Sequence, residues 1–154
     1  MILNKPTIFL IGVIALFAGI YFLNKPNPKP LVFEEFEFDK DERRKIGFLG
    51  HWILVSNYED TGEKRKSIDS LVCTILQEES DKADTLIEHK QFLFFRKTEN
   101  TTPANLKGLA TDAKESKVNE EVIIKYDFYS SGTVHVWLFN KGKLWSIRHD
   151  FSCD

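Results

Sequence analysis

Cysteine and proline are scarce in this 154-residue chain, two of the first and five of the second. With 42% hydrophobic and 29% charged residues, those counts exclude a disulfide-dense scaffold, a collagen-like repeat and a disordered chain. No acidic residue occurs before Glu34, and no stripe of Lys and Arg runs through the rest of the chain. Residues 31 to 154 hold 18 of the 21 basic residues against all 23 acidic ones, a net charge of −5, which disfavours nucleic acid as a partner. Also missing are a nucleophile elbow, a glycine-rich phosphate loop, HExxH, CxxC and an EF-hand loop, so the enzyme classes those motifs mark lose their support. The chain reads as a non-enzyme with no catalytic residue and no cofactor. His51, His89 and His149 stand singly in the sequence, which gives no metal site. No internal repeat is apparent.

What is present begins with an apolar run, Thr7 to Leu23 (TIFLIGVIALFAGIYFL), without a charge and closed by Lys5-Pro6 and Asn24-Lys25-Pro26. At about 1.5 Å per residue it spans roughly 25 Å, the lower edge of a bilayer core. Ala15, Ala18 and Gly19 do not supply the small-residue spacing of a cleavage site, so residues 1–24 read as one transmembrane anchor, a cleaved signal peptide being the alternative. The lysines on the two sides balance, and a long C-terminal domain translocates largely regardless of charge. The expectation is a single pass of a bacterial cytoplasmic membrane with the C-terminal domain outside the cytoplasm. Residues 25–31, rich in proline, form a semi-rigid stalk. In an oxidising compartment Cys73 and Cys153 could pair and pin the C-terminus to a neighbouring strand; two unpaired thiols are the other reading.

Residues 32–154 make the folded domain. Asp39 to Leu49 has an acidic start, a basic middle and Gly50 after it, the charge order of a short helix. From Gly50 on, short runs rich in Val, Ile, Phe, Tyr, Thr and Trp alternate with turn residues. The spacing predicts strands at about 51–58, 67–78, 84–97, 106–111, 119–130, 133–140 and 143–151. That pattern is all-β, a barrel or a sandwich. Two-residue turns at Ser131-Gly132 and Lys141-Gly142 would set 128 opposite 135 and 126 opposite 137. Tyr126, Phe128, His135, Trp137 and Phe139 then share one side with Arg148 at its end, while Lys125 and Asp127 make a solvated opposite side. The shared side is the better core face, and its aromatics either line a cavity or fill the interior.

Gly50-His51-Trp52 is a G-x-W at the entrance of a first strand, preceded by a short helical segment, and Arg148 sits near the end of the last strand. With Leu49-Gly50-His51-Trp52-Ile53-Leu54-Val55-Ser56 as its most specific stretch, the chain from residue 40 resembles the lipocalin and calycin pattern of bacterial type. The resemblance implies an antiparallel up-and-down barrel whose closed end is plugged by Trp52 under Arg148. It further implies a small hydrophobic ligand held by Tyr126, Phe128, His135, Trp137 and Phe139. The expected function is a membrane-anchored, lipocalin-like binding protein of the cell envelope. The alternative is an anchored protein-interaction module, of immunity or envelope-assembly type, with a filled core and an acidic docking surface.

Overall fold

The computed structural model describes residues 29–36, 44–45, 48–80, 88–109 and 117–153. All its elements belong to the compact unit Leu31–Asp154; of the unit Met1–Pro30 only Lys29 and Pro30 are described, so the expected anchor and most of the stalk lie outside the described residues. No helix among the described residues is long and apolar enough to cross a membrane.

The strands are β1 (Val32–Glu35), β2 (Arg44–Lys45), β3 (Phe48–Ser56), β4 (His89–Arg96), β5 (Val122–Tyr129), β6 (Val134–Asn140) and β7 (Lys143–Arg148). They form one sheet in the order β1-β3-β4-β5-β6-β7, with β2 paired to the start of β3. The mostly β expectation holds, but the closed antiparallel barrel does not: the sheet is open, with β1 and β7 at its ends, and β3 and β4 run parallel. A parallel pair needs a crossover rather than a hairpin. The segment that supplies it is α1 (Gly62–Ser80), where the sequence had suggested a strand at 67–78. Ile68, Leu71, Val72, Ile75 and Leu76 recur at helical spacing and pack on the sheet, Ile68 and Val72 completely buried. Thr61 starts the helix, its Oγ1 accepting from the Lys64 amide at 3.2 Å, with Glu63 in the favourable first turn. The strand expected at 106–111 is likewise replaced by a short helix, α2 (Pro103–Leu109), capped by Thr102 with Pro103 at its first position. The expected helix over 39–49 is corrected where it is described, since Arg44–Lys45 is β2 and β3 has begun by Phe48.

One face of the sheet, face A, lies under α1. Ile53 and Val55 of β3, Phe92 and Phe94 of β4, Ile124 and Tyr126 of β5, and Val136 and Leu138 of β6 meet Ile68 and Val72 there. The other, face B, is apolar at one end, where Leu54, Phe95 and Val122 pack with Leu106 of α2 and Val118 of the 3-10 turn Lys117–Glu121.

The register of β6 differs from the expected one by one residue. Phe128 pairs with Val134, Tyr126 with Val136 and Ile124 with Leu138. The connection is longer than two residues: the Tyr129 amide donates to the Thr133 carbonyl at 3.0 Å, and the Gly132 amide to the Tyr129 carbonyl at 2.9 Å. A one-residue slip sends every side chain of a strand to the opposite face. Val136 and Leu138 therefore enter the core, and His135, Trp137 and Phe139 turn to face B. The β6–β7 turn is the expected two-residue one, with Lys141 (φ 49°) and Gly142 (φ 71°) between the paired Asn140 and Lys143. The ladder then shifts between Leu138 and Phe139, leaving Trp145 as an extra residue on β7 and setting Arg148 opposite Val136.

The fold also corrects the barrel plug. Trp52 lies on face B, edge-on to Phe95 at 6.2 Å, while Arg148 lies on face A. Three strands separate β3 from β7, about 19 Å at the usual interstrand spacing, so the indole and the guanidinium do not stack.

Candidate functional site

The five side chains expected to hold a ligand are divided by the sheet. Tyr126 and Phe128 lie on face A under the chain's last residues, with the Phe151 ring 5.4 and 5.5 Å from theirs. Tyr126 is completely buried, and its hydroxyl donates to Asp69 Oδ1 of α1 at 2.6 Å. Burial, reinforced by the Asp69 carboxylate, holds that phenol far above its ordinary pKa. Arg148 closes the group, donating to Asp69 Oδ2 at 2.9 Å and to Asp150 Oδ1 at 3.1 Å. Burial alone would lower the guanidinium's pKa, but these carboxylates more than offset it. Sequence reasoning missed Asp69, whose partner is 57 residues away.

A second buried group on face A involves His51, which the sequence left as a single histidine. Its Nδ1 lies 2.9 Å from Glu35 Oε1 of β1 and its Nε2 lies 2.9 Å from Glu79 Oε1 near the end of α1, with Lys90 donating to Glu79 Oε2 at 2.9 Å. The ring stacks on Phe92, 4.7 Å between centroids. Two carboxylates at the two ring nitrogens require both to carry protons, so the ring is an imidazolium. Burial opposes this, yet the carboxylates win and raise the His51 pKa to about 9. Glu79 moves the other way: burial would raise its carboxyl, but His51 and Lys90 bring it down to about 2.

The uncovered half of face B carries the residues that the register turned outward. Asp127, read from the sequence as part of a solvated side, is 2% exposed. Its Oδ1 accepts from Gln91 Nε2 at 2.9 Å and lies 2.9 Å from His89 Nε2; its Oδ2 lies 2.8 Å from Lys125 Nζ. Burial pushes this carboxyl up, and Gln91, Lys125 and His89 together hold it below the usual carboxylate range. Around it run His89 stacked on Tyr129 (4.5 Å), His135 edge-on to Tyr129 and to Trp137 (5.8 Å each), and the Lys125 ammonium 5.0 Å from the Trp137 ring centroid. Trp137 Nε1 is buried and finds no hydrogen-bond partner among the described residues.

This surface continues onto β7, the end of the sheet. Leu144 opposes Phe139 and Ile147 opposes Trp137 on face B; Leu144, Trp145 and Ile147 are 50%, 58% and 40% exposed. Arg65 of α1 lies over the Trp145 ring at 5.4 Å. Beyond β7, the disulfide between Cys73 and Cys153 pins the C-terminal tail to α1, a helix rather than the strand the sequence suggests.

Among the described residues no group of three or more His, Cys, Asp or Glu side chains is placed to hold a metal ion. The three buried ionic groups engage Asp69, Asp127 and both nitrogens of His51 with partners inside the fold, a chemistry of ties between elements. No protein-family model, curated protein or solved structure matches this chain.

Proposed function

We propose that the chain is an anchored protein-interaction module of the bacterial cell envelope, held by residues 1–24, spaced by residues 25–31 and presenting residues 32–154 outside the cytoplasm. The observation that carries this reading is the division of the aromatic cluster. The face under α1 is filled by side chains that are completely buried, Phe92, Phe94 and Tyr126 among them, while an apolar strip of Leu144, Trp145 and Ile147 stays uncovered at the sheet's end. A filled core with an exposed apolar patch is the signature of a docking surface rather than of an enclosed pocket. The Cys73–Cys153 disulfide supports placement in an oxidising compartment.

The docking surface differs from the acidic one the sequence suggested, since it is apolar and aromatic. Carriage of a small apolar ligand is the second reading, supported by one atom, Trp137 Nε1, which is buried and has no hydrogen-bond partner among the described residues.

Photo-crosslinking in cells tests the proposal on the full chain, with p-benzoylphenylalanine in place of Tyr129, Trp145, Ile147 or, as a control on the exposed face of α1, Glu63. Discrete protein-sized adducts from the first three positions and none from Glu63 are expected. Absence of adducts from all four overturns the module reading, and a small apolar molecule released from the purified chain but not from Trp137→Ala favours carriage.

A further inference from the structure

We infer that β7 is a docking edge that takes up an extended acidic segment of a partner protein as an added strand; the inference rests on the interaction-module reading and names its partner's chemistry. An end strand offers a row of main-chain donors and acceptors to an incoming chain. β7 is the end of the sheet path, and of its six residues only Arg148 is not exposed. Apolar grips flank that edge on both sides. Leu144 and Ile147 continue face B beyond Phe139 and Trp137, while Trp145, the extra residue of the bulge, meets Arg65 of α1. A segment alternating apolar and acidic residues would lay its apolar side chains on Leu144 and Ile147 and turn its carboxylates to the other side, where Lys143 lies.

The charge at this edge selects the segment. Arg148 is held by Asp69 and Asp150, and Lys125 by Asp127. Lys141 and Lys143, at the turn and at the first position of β7, are exposed and form no ion pair among the described residues. In a domain of net charge −5 they are cations free to meet an incoming carboxylate. A second copy fits less well: antiparallel pairing of β7 with itself about its centre sets Lys143 opposite Arg148, and parallel pairing sets lysine beside lysine, repulsions of the kind that keep natural edges from self-pairing.

The test uses the full chain in detergent micelles and fluorescein-labelled decapeptides alternating valine with glutamate or with lysine, followed by fluorescence polarisation. Saturable binding of the glutamate peptide is expected, at least tenfold tighter than the lysine peptide and weakening as salt is raised from 50 to about 500 mM. Lys143→Glu combined with Lys141→Glu, two exposed changes that leave the melting temperature unchanged, should invert the preference. Methylating alternate amides of the glutamate peptide should abolish binding, because the added strand loses its donors. Equal binding of both peptides, binding of neither, or binding that survives amide methylation overturns the inference. So does concentration-dependent dimerisation that Lys143→Glu strengthens by setting a carboxylate opposite Arg148, which would make the occupant a second copy. Protein-sized photo-adducts at Trp145 alongside peptide failure would refute the acidic added strand and leave the module reading standing, whereas absence of adducts at every position refutes the module itself.

Discussion

A buried histidine held between two carboxylates couples the stability of this fold to pH. The His51 pKa stands near 9 in the folded chain, against 6.5 for an unperturbed imidazole. Its contribution is therefore complete below pH 6.5 and fades as pH rises through 9, and the difference corresponds to roughly 3 kcal/mol. Glu79, lowered to about 2, contributes fully above its ordinary pKa of 4.5 and loses that contribution as pH falls from there through about 2. Urea unfolding at pH 6 should find His51→Asn less stable than the parent by up to about 3 kcal/mol, and the gap should narrow between pH 6.5 and 9. A gap independent of pH would mean the ring acts through packing on Phe92 alone. Side chains elsewhere separate core from docking surface. Phe94→Ala, at a completely buried position, should cost about 3–5 kcal/mol, whereas Trp145→Ala, more than half exposed, should stay within about 0.5 kcal/mol by the same measurement.

At the scale of elements, two turns decide which side chains become surface. Gly142 has φ +71° and a Cβ there would lie 2.5 Å from the Asn119 carbonyl oxygen, while Gly132, φ +82°, has open space around it. Gly132→Ala should cost about 1–2 kcal/mol, the strain of the left-handed conformation, and Gly142→Ala visibly more because the β6–β7 turn must also leave the 3-10 turn. Equal costs in urea unfolding would disprove that packing. The strands of the C-terminal meander were legible from Val, Ile, Phe and Tyr runs punctuated by glycine, and so was the Lys141-Gly142 turn. The face assignment of β6 was not, because Ser131-Gly132 satisfies the sequence pattern of a two-residue turn and only the Tyr129–Thr133 hydrogen bond reveals the longer one. Helix α1 carried its own signal, the spacing of Ile68, Leu71, Val72, Ile75 and Leu76, outweighed by the strand propensity of Val72-Cys73-Thr74-Ile75. With that helix misread as a strand, the parallel β3–β4 pair disappears and a closed antiparallel barrel looks natural. The candidate site was legible in part: His135, Trp137 and Phe139 do share a face, but their fellow residues there are Asp127 and His89 rather than Tyr126 and Phe128.

For the unit Leu31–Asp154 as a whole, the C-terminal tail rather than sheet closure fastens the layer over face A. Among the described residues α1 is the helix that covers face A, and the C-terminal tail adds to that cover, Phe151 resting against Tyr126 and Phe128. The Cys73–Cys153 bond fastens that tail to α1 and closes a loop of 80 residues containing β4 through β7. Loop-closure entropy assigns such a crosslink about 4 kcal/mol, most of it acting on the unfolded chain. Reduction of the full chain, or Cys73→Ser with Cys153→Ser, should therefore lower the urea midpoint by an amount equivalent to about 4 kcal/mol. A second effect acts on the folded state and is separable from the first. Once untied, the tail keeps the Phe151 contacts and the Arg148–Asp150 pair, so Phe151→Ala should cost little more than its own burial in the oxidised chain but, in the reduced chain, should also expose the Tyr126 and Asp69 amides to hydrogen exchange. If exchange at those amides were unchanged by reduction, the bond would stabilise only by restricting the unfolded chain. The tail would then keep its place on face A without help from the covalent tie.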